Sequence, residues 1–230
     1  MPNPSLHVVI PAAGAGRRMD GELPKQYLPL AGRTIVEWSL APFLMRSDIS
    51  QIVVVLPSDD THFAKLACAR DGRVRAVSGG AERVDSVASG VAALSARDDD
   101  WVLVHDAARP CLHADDLSKL IDELQADAIG GLLAAPVTDT LKTADPKGRA
   151  QSTVPRDNLW RALTPQMFRY GLLHRALQAA RQGAVPTDEA AAVEALGFSP
   201  KLVAGRVDNI KVTVPEDLAH AEHILRRRNT

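Results

Sequence analysis

Near the N-terminus, an apolar run leads into a loop of small residues: Leu6-His7-Val8-Val9-Ile10-Pro11-Ala12-Ala13-Gly14-Ala15-Gly16-Arg17-Arg18-Met19. The apolar run predicts a buried strand, and the small residues predict a turn at its carboxyl end. Small residues let the backbone approach an anion closely, so that successive N–H groups can donate to phosphate oxygens. The stretch therefore predicts an α/β protein with a phosphate-binding loop, to which Arg18 and Lys25 add positive charge.

This loop differs from the two common phosphate-binding motifs. A dinucleotide-binding loop requires glycine where Met19 stands, and the Gly-Lys-Ser/Thr ending of a P-loop is absent. The glycines alone are equally compatible with an ordinary strand-to-helix turn that carries surface arginines. Arg18 together with Pro24-Lys25 favours the phosphate-binding interpretation.

Beyond the loop, short β-rich runs alternate with segments of helical period, which predicts a mostly parallel sheet covered by helices on both faces. Strands are predicted at 6–10, 52–56, 74–77, 101–105, 131–135 and 201–204. Helices are predicted at 34–45, 83–94, 166–182, 188–196 with Thr187 as cap, and from Pro215 onward.

A β-hairpin is predicted within this single domain of residues 1–230. Residues 140–144 and 150–154 flank the turn Asp145-Pro146-Lys147-Gly148, and the whole inserted arm spans 137–158. Because an isolated two-stranded hairpin is marginally stable in water, we expect a second copy of the chain to cover it. The arm therefore predicts a homodimer.

The composition limits the possible partners and location. The 230 residues include 27 Lys plus Arg and 28 Asp plus Glu, a net charge of −1, which argues against nucleic acid or an anionic membrane as partner. Residues 1–5 lack the basic stretch and the long apolar run of a secretory signal, and no later apolar run reaches membrane-spanning length, so we expect neither export nor a membrane span. The two cysteines, Cys68 and Cys111, fit neither a disulfide framework nor a zinc site, so we expect a cytoplasmic protein.

A second motif, Trp101-Val102-Leu103-Val104-His105-Asp106-Ala107-Ala108-Arg109-Pro110, brings Asp106 to the same edge of the sheet. A carboxylate beside a phosphate loop can hold Mg²⁺, which fills its remaining positions with water and phosphate oxygens. The alternative is a structural ion pair between Asp106 and Arg109. His105 is interpreted as a structural residue at the strand end.

A third motif, Gly79-Gly80-Ala81-Glu82-Arg83-Val84-Asp85-Ser86-Val87, places a glycine turn before a helix. The first N–H groups of that helix and the Ser86 hydroxyl could face a base or a ribose. Taken alone, the motif is more typical of a plain turn with an exposed Arg83.

Taken in order with three later motifs, these segments resemble the 2-C-methyl-D-erythritol 4-phosphate cytidylyltransferase family of isoprenoid biosynthesis. The later motifs are Leu163-Thr164-Pro165-Gln166, Thr187-Asp188-Glu189 and Asp208-Asn209-Ile210-Lys211. The resemblance spans almost the whole chain and implies a Rossmann-like nucleotidyltransferase that joins CTP and methylerythritol phosphate with loss of pyrophosphate. It also implies dependence on a divalent cation such as Mg²⁺ and dimerisation through the arm. A ribitol 5-phosphate cytidylyltransferase and a non-catalytic nucleotide-binding module are the alternatives.

The resemblance also implies roles for individual residues. Arg18 and Lys25 would stabilise the transferring phosphate, while Arg156 and Lys211 would position the acceptor, with Thr140 and Arg156 serving the neighbouring subunit. Ala81 stands where some relatives carry an acidic residue. The residues implied to line the CTP site are Ala12, Ala13, Gly14, Gly16, Gly80, Arg83, Ser86 and Ala107, the further substrate-binding residues are Asp106, Arg109, Thr140, Thr164 and Thr187, and the metal ligands are Asp106 and Asp208.

Overall fold

The computed structural model describes residues 3–14, 23–181 and 185–228 of the chain. Its strands are β1 Leu6–Pro11, β2 Pro29–Leu30, β3 Arg33–Thr34, β4 Ile49–Leu56, β5 Val74–Ser78, β6 Trp101–Val104, β7 Gly130–Pro136, β8 Leu141–Ala144, β9 Ala150–Val154, β10 Trp160–Arg169 and β11 Lys201–Ala204. Its α-helices are α1 Ile35–Leu44, α2 Arg83–Ala92, α3 Ala114–Leu124, α4 Tyr170–Ala180, α5 Glu189–Glu194 and α6 Pro215–Arg228.

Within the described residues, seven strands form the central sheet in the order β11-β7-β10-β6-β1-β4-β5. β1 pairs in parallel with β4 and β6, β4 with β5, and β7 with β11. β10 alone among these seven is antiparallel, to both β6 and β7. The predicted mostly parallel α/β sheet is confirmed, and it brings the carboxyl ends of β1, β5 and β6 to one edge.

Helices cover both faces of this sheet, as the near-continuous apolar strands predict. Successive side chains of β1 point to opposite faces: Val8 packs in a core cluster with Phe43 of α1, and Val9 in a second cluster with Val87 of α2. All four side chains are fully buried. Burial stabilises the fold by about 1.5–3 kcal/mol for each large apolar side chain.

The C-terminal helix holds the segment that precedes it against the sheet edge. Ala221 and Leu225 of α6 pack with Ile35 and Val212 in a third apolar cluster. The backbone N–H of Val212 donates to the carbonyl of Ala108, 2.8 Å away. Residue 211 is thereby fixed next to the loop that follows β6.

The helix predicted at 166–182 is wrong at its start. Residues 166–169 belong to β10, and α4 begins only at Tyr170. Gln166, Met167 and Phe168 pair with backbone on both sides, in β6 and β7, and all three side chains are buried. These long-range pairs outweigh the local helical pattern; residue 182 lies outside the described residues.

The N-terminal cap of α5 also differs from the prediction. Asp188, and not Thr187, is the cap, because its carboxylate accepts a hydrogen bond from the N–H of Ala191 at 2.8 Å. A carboxylate in this position satisfies an otherwise unpaired helix N–H and faces the positive end of the helix dipole.

The hairpin at 140–154 is present as predicted. β8 and β9 pair antiparallel with each other in a separate two-stranded sheet. In the turn, Oδ1 of Asp145 accepts from the N–H groups of Lys147 and Arg149, and Gly148 adopts a φ of +76° that favours glycine. Every residue of β8 is exposed.

No helix within the described ranges combines the length and the apolar character needed to cross a membrane.

Candidate active site

A cavity of about 530 Å³ lies at the sheet edge where β1, β5 and β6 end. Ligands of open α/β sheets bind in such a crevice, outside the carboxyl ends of the strands. The three sequence motifs meet there, together with the segment before α6. The cavity is lined by Pro11, Ala12, Ala13, Gly14, Lys25, Gln26, Gly80, Ala81, Glu82, Arg83, Ser86, Asp106, Ala107, Ala108, Lys211 and Thr213.

The loop after β1 is held by its neighbours on both sides. The N–H of Ala12 donates to the carbonyl of Val55 at 2.7 Å, and its carbonyl accepts from the side-chain amide of the buried Gln26 at 2.9 Å. These bonds fix the start of the small-residue loop relative to the Lys25 segment. Gly16 and Arg18, both expected in the site, lie outside the described residues.

Lys25 lies on a short 3-10 turn, Lys25–Tyr27, that is anchored by its next two residues. Gln26 bonds to the loop after β1, and the hydroxyl of Tyr27 donates to Asp60 at 2.5 Å. The Lys25 ammonium donates to the carbonyl of Val212 at 3.0 Å. The backbone of this turn is therefore fixed, and the positively charged Lys25 side chain lies at the cavity wall.

The glycine turn after β5 has no room for a side chain at Gly79. A Cβ there would lie 2.6 Å from the Ser86 hydroxyl oxygen and 2.7 Å from Cβ of Ala13. The Ser86 hydroxyl accepts from the N–H of Gly80 at 3.2 Å. Glycine at 79 is therefore what lets α2 and the loop after β1 form two adjoining walls of the cavity.

Asp106 lies among three cationic side chains. Its Oδ2 is 2.9 Å from the Lys211 ammonium and 3.5 Å from Nε of Arg109, and its Oδ1 is 3.1 Å from a terminal nitrogen of Arg83. Burial alone would raise the pKa of Asp106, but the charges of Arg83 and Lys211 hold it well below its usual range. Asp106 is therefore a permanent anion in a positively charged setting.

Arg83 joins Asp106 to a second acidic residue, Glu189. Its two terminal nitrogens lie 2.7 and 3.2 Å from the Glu189 carboxylate oxygens. Burial opposes the charge on Arg83, but the two carboxylates outweigh it and raise the pKa of the guanidinium. Glu189 is 1% exposed, is not part of the cavity lining, and is not among the site residues predicted from the sequence.

Thr164 acts on the site through the backbone. Its hydroxyl oxygen lies 3.1 Å from the Asp106 N–H and 2.9 Å from Nδ1 of His105, while Nε2 of His105 lies 3.1 Å from the Arg109 carbonyl. These hydrogen bonds are mutually consistent if the Thr164 hydroxyl accepts from the Asp106 N–H and donates to Nδ1 of His105. The Nε2–H of His105 then donates to the carbonyl of Arg109. Burial lowers the pKa of His105 to about 4, so the imidazole is neutral and structural.

Arg109 is held in the same network. One of its terminal nitrogens donates to the carbonyl of Asn209 at 2.8 Å, and the side-chain amide of Asn209 donates to the carbonyl of Thr164 at 2.8 Å. Asn209 is 1% exposed. Through its backbone carbonyl and its side-chain amide, Asn209 links the segment that carries Lys211 to the loop after β6 and to β10.

Three predicted acceptor residues lie away from this cavity. Thr140 and Arg156 are exposed at the two ends of the arm, where Arg156 donates to the carbonyl of Thr138. Thr187 is exposed beside a smaller hollow of about 320 Å³ that Trp160 also lines. Within one copy of the chain, these side chains do not join Lys25 and Lys211 in the same cavity.

The residues expected to bind metal do not build a metal site. Asp106 is surrounded by three cations, and Asp208 pairs with Arg228 at 2.8 Å and does not line the cavity. Among the described residues, no cluster of three His, Cys, Asp or Glu side chains could hold an ion. A divalent cation would therefore take its ligands from the phosphate oxygens of a bound nucleotide, as Mg²⁺ commonly does.

The crevice position, the loop of small residues and the two lysines that line one cavity are typical of a nucleotide-binding enzyme of the α/β class. The profile of the 2-C-methyl-D-erythritol 4-phosphate cytidylyltransferase family matches residues 6–227. The chain belongs to this family, whose members are nucleotidyltransferases of isoprenoid biosynthesis.

Two relatives and two solved structures show how close the similarity is. The chain is 55% identical to 2-C-methyl-D-erythritol 4-phosphate cytidylyltransferase of Pseudomonas fluorescens (strain SBW25) over 94% of this chain and 93% of the relative, and 53% identical to that of Pseudomonas aeruginosa (strain UCBPP-PA14) over 94% of each. A crystal structure of a 4-diphosphocytidyl-2C-methyl-D-erythritol synthase superposes with a TM-score of 0.85 at 40% identity, covering 97% of this chain and 99% of the other. The Francisella tularensis enzyme gives 0.82 at 32% identity, covering 96% and 99%.

Proposed function

We propose that this chain transfers a cytidylyl group from CTP to 2-C-methyl-D-erythritol 4-phosphate, in the cavity described above. The observation that carries the proposal is the meeting of three features in one cavity: the small-residue loop 11–14, Lys25, and the Lys211–Asp106 pair. Membership of the family supports the identity of the two substrates.

The reaction needs no general base. An oxygen of the acceptor's phosphate monoester attacks the α-phosphorus of CTP, a new P–O bond forms, and the bond to the β-phosphate breaks to release pyrophosphate. A phosphate monoester has a second pKa of about 6, so the nucleophile is already ionised at neutral pH. The described cavity lining contains no histidine, and the buried His105 is held neutral.

Catalysis then consists of positioning and charge stabilisation. We assign Lys25, with Arg18, to the charge that develops on the α-phosphoryl group and on the leaving pyrophosphate. Backbone N–H groups of the loop would donate to phosphate oxygens, and Lys211, with Arg156, would hold the acceptor phosphate. Removing a preorganised cation of this kind typically costs about a hundredfold to a thousandfold in turnover.

The nucleoside half of CTP is assigned to the walls formed by Ala13, Gly80, Ser86 and Ala107, which line the cavity. The lack of space at Gly79 keeps these walls close together. Ala81 offers no acidic group there, and we assign backbone groups and the Ser86 hydroxyl to contacts with the base or the ribose. Asp106 and Arg109 are assigned to the acceptor side, where a fixed anion can accept hydrogen bonds from polyol hydroxyls.

A divalent cation is part of the proposal as a companion of the nucleotide. When bound, it would neutralise charge on the triphosphate. The described residues offer no resident site for it, because the Asp106 oxygens already face Arg83, Arg109 and Lys211. We therefore assign neither Asp106 nor Asp208 as a direct metal ligand.

The acceptor site is proposed to be completed by a second copy of the chain. Thr140 and Arg156 lie on an exposed arm whose strands β8 and β9 pair only with each other among the described residues. An unsupported hairpin of this kind is marginal in water, and a homodimer in which arms meet would stabilise it. The arm of one copy would then deliver Thr140 and Arg156 to the cavity of the other.

A cytoplasmic location is also proposed. Cys68 and Cys111 are free thiols, and burial raises their pKa values to about 11 and about 12, so neither is a reactive thiolate. Neither nucleic acid nor membrane is proposed as a partner, given the net charge of −1.

The deciding experiment is pyrophosphate release by the purified protein with Mg²⁺ and CTP, offered either methylerythritol phosphate or ribitol 5-phosphate, with identification of the cytidine diphosphate product by mass. Release with methylerythritol phosphate alone is expected. Release only with ribitol 5-phosphate would overturn the acceptor assignment while keeping the chemistry. Release with neither, from folded protein that binds CTP, would favour a non-catalytic nucleotide-binding module.

A further inference from the structure

We infer that Glu189 is a positioning residue for acceptor binding, acting from outside the cavity by holding the Arg83 guanidinium against Asp106. The inference rests on the proposed function, because it takes Asp106 as an acceptor-binding group. Glu189 does not line the cavity, so we expect it to contact neither substrate directly.

The guanidinium of Arg83 bridges the two carboxylates. One terminal nitrogen donates to Oε1 of Glu189 at 2.7 Å; the other lies 3.2 Å from Oε2 of Glu189 and 3.1 Å from Oδ1 of Asp106. Nε lies 3.3 Å from the same Oδ1. Because a guanidinium is planar and rigid, fixing its two terminal nitrogens on Glu189 also fixes the edge that faces Asp106.

Glu189 itself is held firmly in place. It is the first residue of α5, whose cap Asp188 accepts from the N–H of Ala191 at 2.8 Å. Gln166 of β10 joins this helix start to the sheet, donating to Asp188 at 2.9 Å and accepting from the N–H of Ala190 at 2.8 Å. The Glu189 carboxylate therefore has a fixed position relative to the strand that borders the loop of Asp106.

Stability alone is a poor reason for such a pair. Burying a carboxylate and a guanidinium costs desolvation energy that their attraction repays only in part, and apolar residues of similar volume often serve as well. What an apolar pair could not do is orient a third group. Here the third group is Asp106, which lines the cavity while Glu189 does not.

Loss of the Glu189 charge would release Arg83 from one of its two carboxylates. The guanidinium could then turn toward the cavity or toward solvent, since the Arg83 side chain is 32% exposed. Asp106 would keep Lys211 on Oδ2 but lose the fixed partner on Oδ1. Displacement of a positioned group by about an ångström can cost up to about a hundredfold in the rate of the reaction.

The test compares Glu189→Gln, Arg83→Gln and the double variant with the wild-type enzyme, measuring KM separately for methylerythritol phosphate and for CTP, with kcat and the melting temperature. We expect Glu189→Gln to raise KM for the acceptor about tenfold and to leave KM for CTP within about twofold. The reason is that the Arg83 guanidinium, which Glu189 holds in place, positions Asp106, a group assigned to the acceptor. The double variant should have the same acceptor KM as Arg83→Gln alone, since residues that act through one contact are not additive.

Glu123→Gln is the matched control. It makes the same chemical change and breaks an ion pair with Lys201 of 3.0 Å, but Glu123 lies on α3 outside the cavity lining. This control should keep wild-type values of both KM constants.

Three outcomes would overturn the inference: unchanged acceptor KM in folded Glu189→Gln, a rise in KM for CTP alone, or additive effects in the double variant. If Glu189→Gln does not fold, Glu189→Asp replaces it, because it keeps the charge and shortens the reach by one methylene; an unchanged acceptor KM there also overturns the inference. An inactive wild-type enzyme would instead count against the proposed function itself, so the two failures are distinguishable.

Discussion

The ammonium of Lys211 lies 2.9 Å from the carboxylate of Asp106, although one residue precedes α6 and the other follows β6. The pair is positioned by backbone bonds on either side: the N–H of Val212 donates to Ala108, and the N–H of Asp106 donates to the Thr164 hydroxyl. A cation and an anion are thereby held at one wall of the cavity. Such an arrangement can bind a substrate that carries both phosphate and hydroxyl groups.

Lys211→Ala is expected to lower turnover about a hundredfold while the protein stays folded, because it removes a cation aimed at the reacting phosphates. The Lys211 side chain is 41% exposed, so its removal opens no buried void. Steady-state turnover and a melting curve test this. Lys201→Ala is the control, since it breaks an exposed ion pair with Glu123. Near-normal turnover in Lys211→Ala would remove Lys211 from the proposed machinery.

Lys25→Ala is expected to lower turnover about a hundredfold to a thousandfold. The variant should stay folded and still bind CTP. The turn that carries Lys25 is also anchored by the hydrogen bonds of the Gln26 amide to Ala12 and of the Tyr27 hydroxyl to Asp60, which the substitution leaves in place. Pyrophosphate release measures the loss, and CTP binding by calorimetry checks the folded site. The exposed Lys65 provides the control Lys65→Ala. If Lys25→Ala turns over like this control, its assigned role is wrong.

His105 should make the protein sensitive to acid. Its pKa is about 4 in the folded protein, against 6.5 for the ordinary side chain, because burial disfavours the charged form. Below pH 6.5 the His105 imidazole binds a proton in the unfolded chain but stays neutral in the folded chain. The free energy of unfolding therefore falls as the pH drops from about 6.5 to about 4. The difference between the two pKa values corresponds to a loss of about 3 kcal/mol in the free energy of unfolding once the pH is below about 4.

The measurement is the free energy of unfolding by urea at several pH values for wild type and His105→Gln, which retains a donor for the Arg109 carbonyl. The difference between the two proteins isolates His105 from the other titrating groups. We expect the wild type to lose stability relative to the variant as the pH falls. Parallel pH curves for the two proteins would show that His105 does not titrate in this way.

The part of the site that the sequence predicts is the part that follows from strand ends. A buried run followed by small residues places Ala12 at a carboxyl end, and the next two motifs do the same for Gly80 and Asp106. Because parallel strands of one sheet end at a common edge, these residues meet in the cavity whatever the details of the connections.

The part that the sequence does not predict depends on β10. Local pattern assigns Gln166 to a helix, but the strand inserts antiparallel between β6 and β7 and carries Thr164 and Gln166 into the interior. Thr164 holds the backbone of Asp106, and Gln166 holds the start of α5, where Glu189 contacts Arg83. No local propensity records contacts between residues so far apart in the chain. The glutamate of the Thr-Asp-Glu motif, an acidic residue at a helix start, was the available signal.

The arm offers the sharpest test of the dimer. If Arg156 of one copy serves the cavity of the other, then Lys25→Ala and Arg156→Ala remove groups from the same site that come from different chains. Each variant alone should be nearly inactive. In a mixed dimer, one site then carries both defects and the other carries neither.

Co-expression of the two variants with different affinity tags, followed by isolation of dimers that carry both tags, tests this arrangement directly. We expect such dimers to regain about half of the wild-type turnover per dimer, since one of two equivalent sites is intact. A tandem purification of Lys25→Ala with itself is the control and should stay inactive. If Arg156 serves its own chain, every site in the mixed dimer has one defect, and no activity returns; if no mixed dimers form at all, the arm does not join two copies.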